Sequence, residues 1–291
     1  MDKVLRDKRA IIIFVLPGFL LFVSVVILPM FTSTYYSLFD WDGYGKKIFV
    51  GLKNYLEIFT GQESGFSKSI GNAFYLTFLT LIIQFPIALV LALILSSNIK
   101  GEGFFRTIYF IPVMLSAVVI AHLFKRIYDP SFGLLNSFLQ NIGLESLRHT
   151  WLGEIKTAMT SASIPILWQW IGYHMLLLYA GAKSVPNELR EAAKIDGAGL
   201  VTTSFKIIIP LMFPVIKVCL IMLIVGSIRE FDVIYTMTKG GPVNSTQMPS
   251  LMMISTMFSR YKYGMGSAMA MTIVILCLSI TGFMQRFFKR G

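Results

Sequence analysis

The 291-residue sequence is poor in charge, because Asp, Glu, Lys and Arg together make up only 14% of its residues. About a quarter of the residues in a soluble domain are usually charged, since a water-facing surface needs charge to stay solvated. The shortage therefore argues against a soluble globular protein. A net charge of +11 would suggest nucleic-acid binding in a soluble protein. Here the basic residues lie between long apolar runs, as in the cytoplasmic loops of membrane proteins, and no nucleic-acid partner is expected.

The sequence also lacks the residues that several other functions require. Cys219 and Cys277 both lie within apolar runs, which predicts small apolar side chains rather than a disulfide framework. The motif Gly-x-x-x-x-Gly-Lys-[Ser/Thr] is absent, so the chain has no phosphate-binding loop with which to hydrolyse ATP. Its three histidines, among them His174, show no metal-ligand spacing with the acidic residues. We therefore expect neither an enzyme nor a metal site.

Six apolar runs stand out, each near the roughly 20 residues that a helix needs to cross a bilayer. They are 10–31, 71–96, 105–124, 161–182, 208–228 and 267–285. Because backbone polar groups cannot stay unpaired in lipid, these runs predict α-helices. The basic residues before the first run resemble a signal peptide, but the run is long enough to span and no small-residue cleavage site follows it. The prediction is an all-α, polytopic membrane helical bundle of six transmembrane helices, forming one domain over residues 1–291.

The basic residues also predict the orientation of the bundle. If the N-terminus is cytoplasmic, Lys and Arg are more than twice as dense in the inside segments as in the outside segments. The inside segments are 1–9, 97–106, 183–206 and 286–291. Short cytoplasmic loops are where such residues collect, so both termini are expected in the cytoplasm.

Segment 183–210, between the fourth and fifth runs, has the pattern of a short helix, a turn and a second helix. Pro186 suits the start of the first helix, with Ser184 as a possible N-cap. Good helix-forming residues follow, and Gly197 permits the left-handed turn that ends this helix. The second helix is expected to enter the fifth run at Pro210.

The order of residues in this segment carries a resemblance to a family. Glu191-Ala192-Ala193 is followed after three residues by Gly197, and after nine more by Ile207-Ile-Ile-Pro210. This pattern resembles the EAA loop of importer permeases of the ATP-binding-cassette (ABC) class. Further stretches look like carbohydrate-uptake permeases, and the earliest resemble the first of the two permease types: 39–41, 49–55, 105–112, 132–136, 231–246 and 263–268. We expect neither the extra N-terminal spans nor the large external domain of the maltose member of that family.

The resemblance implies how segment 183–210 works. A cytoplasmic coupling (EAA) helix would seat in a groove on a separate ATPase subunit, with Glu191 supplying charge and Ala192 and Ala193 allowing close approach. Gly197 would provide the turn, while Asp196 would either cap the second helix, pair with Lys194 or lie solvated. The remaining coupling residues of the motif are Ile207 and Pro210.

The resemblance also implies a substrate cavity between the fourth and fifth spans. Sugar sites combine aromatic rings with hydrogen-bonding groups. Trp168, Gly172 and Met175 share one face of the fourth span, with Ile171 beside them, and these four residues are predicted to line the path. The fifth span contributes a face of its own, made by Leu223, Ser227 and Glu230. Interfacial anchoring or helix packing is the alternative for the aromatic residues.

Lys217 lies about nine residues into the fifth run, which is unusual for a charged side chain. An intramembrane charge is costly and faces protein or water. Alternatively, its long side chain reaches the cytoplasmic surface.

The function predicted from these observations is that of a transmembrane subunit of a bacterial ABC importer for a sugar or oligosaccharide. Its implied partners are a second permease subunit, an ATPase dimer that holds ATP and Mg, an external solute-binding protein and the lipid of the plasma membrane. One alternative is a secondary transporter driven by an ion gradient, although such proteins often carry midplane acids and none lies deep in a run here. The other is an ABC importer for a non-sugar solute.

Overall fold

The computed structural model describes residues 8–60 and 65–289, which are mostly helical. Within these ranges the α-helices are, in chain order, α1 (Lys8–Phe22), α2 (Leu28–Tyr36), α3 (Lys53–Thr60), α4 (Gly65–Leu79), α5 (Phe85–Leu95), α6 (Glu102–Met114), α7 (Ala117–Ile127), α8 (Leu134–Asn141), α9 (Ile155–Lys183), α10 (Asn187–Ile195), α11 (Leu200–Thr203), α12 (Ile209–Leu211), α13 (Phe213–Arg229), α14 (Asp232–Thr238), α15 (Pro249–Phe258) and α16 (Tyr263–Lys289). A short 3₁₀ turn covers Glu145–Leu147. Two short antiparallel strands, β1 (Phe39–Asp40) and β2 (Ile48–Phe49), pair Phe39 with Phe49.

Three of the helical connections are π-helical turns, and a proline explains each one. The turns are Val23–Ile27, Thr80–Gln84 and Ser204–Ile208. Each ends two residues before a proline, namely Pro29, Pro86 or Pro210. Proline has no N–H to continue the α-helical hydrogen-bond pattern. In each case the residue before the proline donates instead to the carbonyl five residues back, which widens the turn.

Three helices in the described part of the chain are long and apolar enough to cross a membrane: Ile12–Tyr36, Gly65–Leu95 and Tyr263–Phe288. They coincide with the predicted first, second and sixth runs. Two bent helix pairs raise the number to five if each pair is one span. Helix α9 covers the predicted fourth run but lies outside this criterion, and it carries buried polar side chains such as Gln169 and His174. The six-span count stays a prediction.

The third run does not form the continuous helix that the sequence predicted over 105–124. Helices α6 and α7 meet at an angle of 93°. Ser116 begins α7 as an N-cap, since its Oγ accepts a hydrogen bond from the N–H of Val119 at 3.3 Å. The bend leaves the carbonyl of Leu115 outside the helix, and Gln169 Nε2 donates to it at 3.2 Å.

The fifth run also contains a bend, and the prediction of one helix from residue 208 is wrong. The helices Leu200–Leu211 and Phe213–Thr238 meet at 77°, with Met212 between them. Pro214 lies in the first turn of α13, where its missing N–H costs no helical hydrogen bond. The chain therefore turns at Met212, two residues beyond the expected entry at Pro210.

The chain divides into two compact units, and the prediction of one domain over 1–291 stays a prediction. The first unit comprises Met1–Phe66 and Met253–Ile275. Its loop after α2 is held by Asn54, whose Nδ2 donates to the carbonyls of Ser37 at 2.8 Å and Phe39 at 2.9 Å. Gly264 packs directly on this loop, since a Cβ there would lie 1.9 Å from the Phe39 carbonyl oxygen.

The second unit, Ser67–Met252 and Leu276–Gly291, has two separate apolar clusters. The first cluster includes Leu76, Ile166 and Ile234. The second includes Met175 and Leu223, together with Cys219, which is a free, buried thiol. Polar side chains occupy the region between the two clusters, and this division positions the site described below.

Lys217 is placed by contacts within the second unit. Its Nζ donates a hydrogen bond to the carbonyl of Phe288, near the C-terminal end of α16. The ammonium also lies 4.7 Å from the ring centre of Phe213 and 5.5 Å from that of Phe288. A cation is favourable at the carbonyl end of a helix, so Lys217 holds the end of α16 against the start of α13.

Gly172 should be essential for the packing of α6 against α9. A Cβ at this position would lie 2.0 Å from the carbonyl oxygen of Tyr109. Because the obstacle is backbone, Gly172→Ala should destabilise the protein by about 1–3 kcal/mol or more. The measurement is the thermal unfolding temperature of the detergent-solubilised protein.

The matched control is Gly71→Ala in α4, where a Cβ would meet nothing within 4 Å. Equal unfolding temperatures for the two variants would contradict this packing.

Candidate functional site

A cavity of about 380 Å³ lies in the second unit, between its two apolar clusters. Its walls come from the π-helical turn after α4, from α9 and from the end of α13. The lining residues are Thr80, Gln84, Ile166, Trp170, Tyr173, His174, Met222, Leu223, Gly226, Ser227 and Glu230. Aromatic rings and hydrogen-bonding groups therefore share one small chamber, which is the composition of a site for a polar organic ligand.

Two pairs of polar side chains connect the walls of this cavity. Gln84 Nε2 and His174 Nδ1 lie 2.9 Å apart, and both residues are buried. The hydroxyls of Thr80 and Ser227 lie 3.2 Å apart. Buried polar groups need partners, so these pairs fix the positions of the wall side chains even when no ligand is bound.

Glu230 lies at the break between α13 and α14. Its Oε1 accepts a hydrogen bond from the N–H of Val233 at 3.3 Å, in the first turn of α14. This bond satisfies one of the free N–H groups at the start of that helix. Glu230 therefore both starts α14 and lines the cavity.

The predicted substrate-path residues fall into two groups. Leu223, Ser227 and Glu230 all line the cavity, and their role in a substrate path stays a prediction. The four residues predicted from the fourth span are absent from its lining: Trp168, Ile171, Gly172 and Met175. Trp168 packs on Phe124, with ring centres 5.7 Å apart. Gly172 packs on the backbone of Tyr109, and Met175 is fully buried in the second apolar cluster.

The face of α9 that does line the cavity is adjacent to the predicted one. Ile166, Trp170, Tyr173 and His174 lie at positions i, i+4, i+7 and i+8, which is regular helical spacing. Sequence analysis also missed Thr80 and Gln84. The polar residues just before Pro86, within an otherwise apolar run, are the signal that could have identified them.

A second site surrounds α10, the helix of the predicted coupling loop. A groove of about 550 Å³ lies between α10, the chain after α5 and the segment 198–208. Glu191 and Lys194 lie on its α10 side. The helix begins directly after Pro186, as predicted. Ser184 is not its N-cap, because the Ser184 hydroxyl donates to the carbonyl of Gly181 at the end of α9.

Arg190 fixes α10 to two other helices. Its Nη1 donates to the carbonyl of Ser96 at 3.3 Å, and its Nη2 donates to the carbonyl of Ala182 at 2.6 Å. These carbonyls stand at the C-terminal ends of α5 and α9, where helix dipoles favour a cation. Burial lowers the pKa of the Arg190 guanidinium below its usual value, although an arginine stays charged. The sequence analysis did not identify this residue.

An ionic cluster lies close to the same helix ends. Glu102, at the start of α6, pairs with Arg106 and with Lys183, each at 3.4 Å. The hydroxyl of Tyr179 donates to the same carboxylate. Arg106 and Lys183 are partly exposed, and ion pairs open to solvent contribute only about 0–1 kcal/mol each.

The other predicted coupling residues divide between exposed and packed positions. Glu191, Ala192, Asp196 and Pro210 are exposed, whereas Ala193 is buried. Gly197 has a φ of +76°, the left-handed conformation expected of a helix-ending glycine. Ile207 packs on the second apolar cluster. Asp196 forms no ion pair with Lys194 within the described ranges, and Gly199 begins α11 without a side-chain cap.

Comparison with known families decides where the chain belongs. Residues 84–290 match the family described as binding-protein-dependent transport system inner membrane component. The chain belongs to this family. The match begins at Gln84 in the cavity wall and contains all of α10. This family member is accordingly a multi-pass inner membrane protein, and its family's role is transport.

Individual relatives of this inner membrane component support the assignment along its whole length. The probable ABC transporter permease protein YurN of Bacillus subtilis is 36% identical over 98% of this chain and 98% of its own length. The trehalose/maltose transport system permease protein MalF of Thermococcus litoralis is 32% identical over 95% of this chain and 92% of its own. A chain in the crystal structure of a bacterial ABC transporter involved in the import of the acidic polysaccharide alginate superposes with a TM-score of 0.84. It is 22% identical and covers 99% of this chain and 98% of its own, which shows a shared fold.

Removal of the Arg190 side chain should loosen α10 in this inner membrane component. Each hydrogen bond to a charged group contributes about 1.5–3 kcal/mol, and Arg190→Ala removes two of them. Amide hydrogen exchange in residues 187–195 should accelerate accordingly. Arg190→Lys should have an intermediate effect, because an ammonium lacks the two-pronged geometry of a guanidinium.

Lys194→Ala is the control, since it removes an exposed cation from the same helix. If Arg190→Ala exchanged no faster than Lys194→Ala, the two carbonyl bonds would not be holding α10.

Proposed function

We propose that this chain is a transmembrane subunit of a bacterial ABC importer that moves a sugar or oligosaccharide into the cytoplasm. An external solute-binding protein delivers the sugar, and a separate ATPase subunit supplies the energy. The Thermococcus litoralis relative is named as a trehalose/maltose transport system permease, which supports a sugar as the substrate class of this chain. The cavity adds its own support, because it combines Trp170 and Tyr173 with hydrogen-bonding side chains.

The arrangement of α10 is the observation that carries this proposal. One side of the helix is fixed to α5 and α9 through Arg190, while Glu191 and Ala192 remain exposed. Large apolar side chains are exposed on α10 and in the segment after it: Leu189, Ile195, Leu200, Val201 and Phe205. A short rigid helix with a charged and apolar outer face suits docking into a groove on an ATPase. In this proposal ATP and Mg are bound by that ATPase, and this chain binds neither.

The proposal includes six spans, with α9 as the fourth and the two bent pairs as the third and fifth. It places α10 and both termini in the cytoplasm of a bacterial cell, following the density of basic residues in the short segments. Helix Ile12–Tyr36 has none of its most apolar 18-residue stretch buried within this chain, so lipid and a second permease subunit are its expected surroundings. An ion-coupled secondary transporter would give α10 and its anchor no role.

Reversal of charge at Glu191 tests the coupling role. Glu191→Lys should lower sugar uptake by at least about tenfold, because a like-charge contact with a basic groove costs several kcal/mol. The importer should still assemble, since Glu191 is exposed and holds no other helix. Uptake and co-purification of the ATPase are the two measurements.

Glu145→Lys is a matched control, because Glu145 is also an exposed glutamate, in a 3₁₀ turn before α9. Normal uptake by Glu191→Lys would remove the coupling assignment.

Cysteine labelling tests the orientation. Ile195→Cys and Phe132→Cys place thiols at positions that are 86% and 90% exposed, in a background without Cys219 and Cys277. A membrane-impermeant reagent should label the thiol at 132 in intact cells and the thiol at 195 only in inverted vesicles. Labelling of the thiol at 195 from outside the cell would overturn the cytoplasmic placement of α10.

A further inference from the structure

The charges around the cavity restrict the kind of ligand that it can hold. Of its eleven lining residues, none is Lys or Arg. The ionisable lining residues are Tyr173, His174 and Glu230. A ligand that fills this chamber therefore meets hydroxyl, amide, imidazole and aromatic groups, together with one carboxyl group.

No cation neutralises Glu230 in the described part of the chain. The neighbouring Arg229 is exposed, and no ion pair joins the two residues within residues 8–60 and 65–289. Oε1 of Glu230 accepts one backbone hydrogen bond, from Val233. An anion brought into this cavity would lose part of its hydration and would meet a like charge, with no lysine or arginine in the lining to compensate.

His174 does not supply the missing positive charge at pH 8. Its Nδ1 is close to Gln84 Nε2, at 2.9 Å, and to the carbonyl of Trp170, at 3.0 Å. An imidazole with an ordinary pKa near 6.5 is neutral at that pH, and so is a tyrosine hydroxyl, so Glu230 is the lining residue that can carry a charge there. The sign of the local field at pH 8 is therefore set by Glu230.

We infer that Glu230 makes the cavity selective for neutral saccharides and excludes saccharides that carry a carboxylate. The inference rests on the proposed function, because it assumes that the cavity holds a saccharide. Glu230 is the specificity-determining residue. The hydroxyl groups of a neutral sugar can donate hydrogen bonds to the Glu230 carboxylate. The same carboxylate repels the negative charge of a uronate. A positively charged saccharide gains from the same carboxylate and from the faces of Trp170 and Tyr173.

Three glycosides with the same ring configuration but different charges test this selectivity: methyl glucoside, methyl glucuronide and 2-aminoethyl glucoside. The importer, assembled with its partner subunits in nanodiscs and without the solute receptor, is titrated with each at pH 8. Saturation-transfer NMR suits this measurement, because it detects weak binding. Methyl glucoside should bind at least about tenfold more tightly than methyl glucuronide, since like-charge contacts cost several kcal/mol. The aminoethyl glycoside should bind at least as tightly as methyl glucoside.

Variants assign the effect to one side chain. Glu230→Gln keeps the size of the side chain and removes its charge, so the difference between glucoside and glucuronide should shrink to about twofold or less. Glu230→Asp should retain the difference. Asp232→Asn is the matched control, because Asp232 is an exposed carboxylate two residues away that does not line the cavity. It should leave the wild-type order of the three ligands unchanged.

Equal binding of glucoside and glucuronide by the wild-type importer would overturn the inference, as would an unchanged difference in Glu230→Gln. Either result would leave the proposed saccharide cavity intact. Absence of binding for all three glycosides would instead overturn the saccharide cavity itself, so the two failures are distinguishable.

Discussion

Backbone carbonyl groups released at helix ends and loops are the constraint on which this structure depends. Carbonyls that are covered by protein or by lipid meet no water, so a side chain must supply the hydrogen-bond donor. Polar side chains with several donors do so repeatedly: Asn54, Asn72, Asn136, Gln169, Arg190 and Lys217 all donate to main-chain oxygens. These polar side chains therefore mark places where the chain leaves regular helix.

The cavity follows from the same constraint. The π-helical turn before Pro86 interrupts one wall, and the break at Glu230 interrupts another. Irregular backbone of this kind is tolerated at membrane depth where it is covered by protein or lines a water-filled space. The pairs Gln84–His174 and Thr80–Ser227 lie at these positions and give the chamber its polar lining.

The sequence predicted the long apolar helices well, because hydropathy and length determine them directly. It predicted the bends poorly. Ser116 starts α7 and Met212 ends α12, both inside apolar runs, and hydropathy does not respond to capping or to a change of direction. In the cavity, the face of α13 was predicted through Ser227 and Glu230, whose polarity is unambiguous. The cavity uses another face of α9 than the predicted one, because Trp168 packs on Phe124 instead, a contact that its aromatic character alone does not reveal.

The anchor of α10 has a mechanical consequence. Arg190 grips the ends of α5 and α9 together, and these helices lead to Gln84 and His174. At 1.5 Å per residue, His174 lies only about 12 Å along α9 from Ala182, and Gln84 lies about 18 Å along the α5 side from Ser96. A displacement of α10 therefore travels to the chamber as the motion of two stiff rods, with little of it absorbed by intervening loops. Because α5 and α9 are both bonded to Arg190, the cavity wall and α10 should move as one unit.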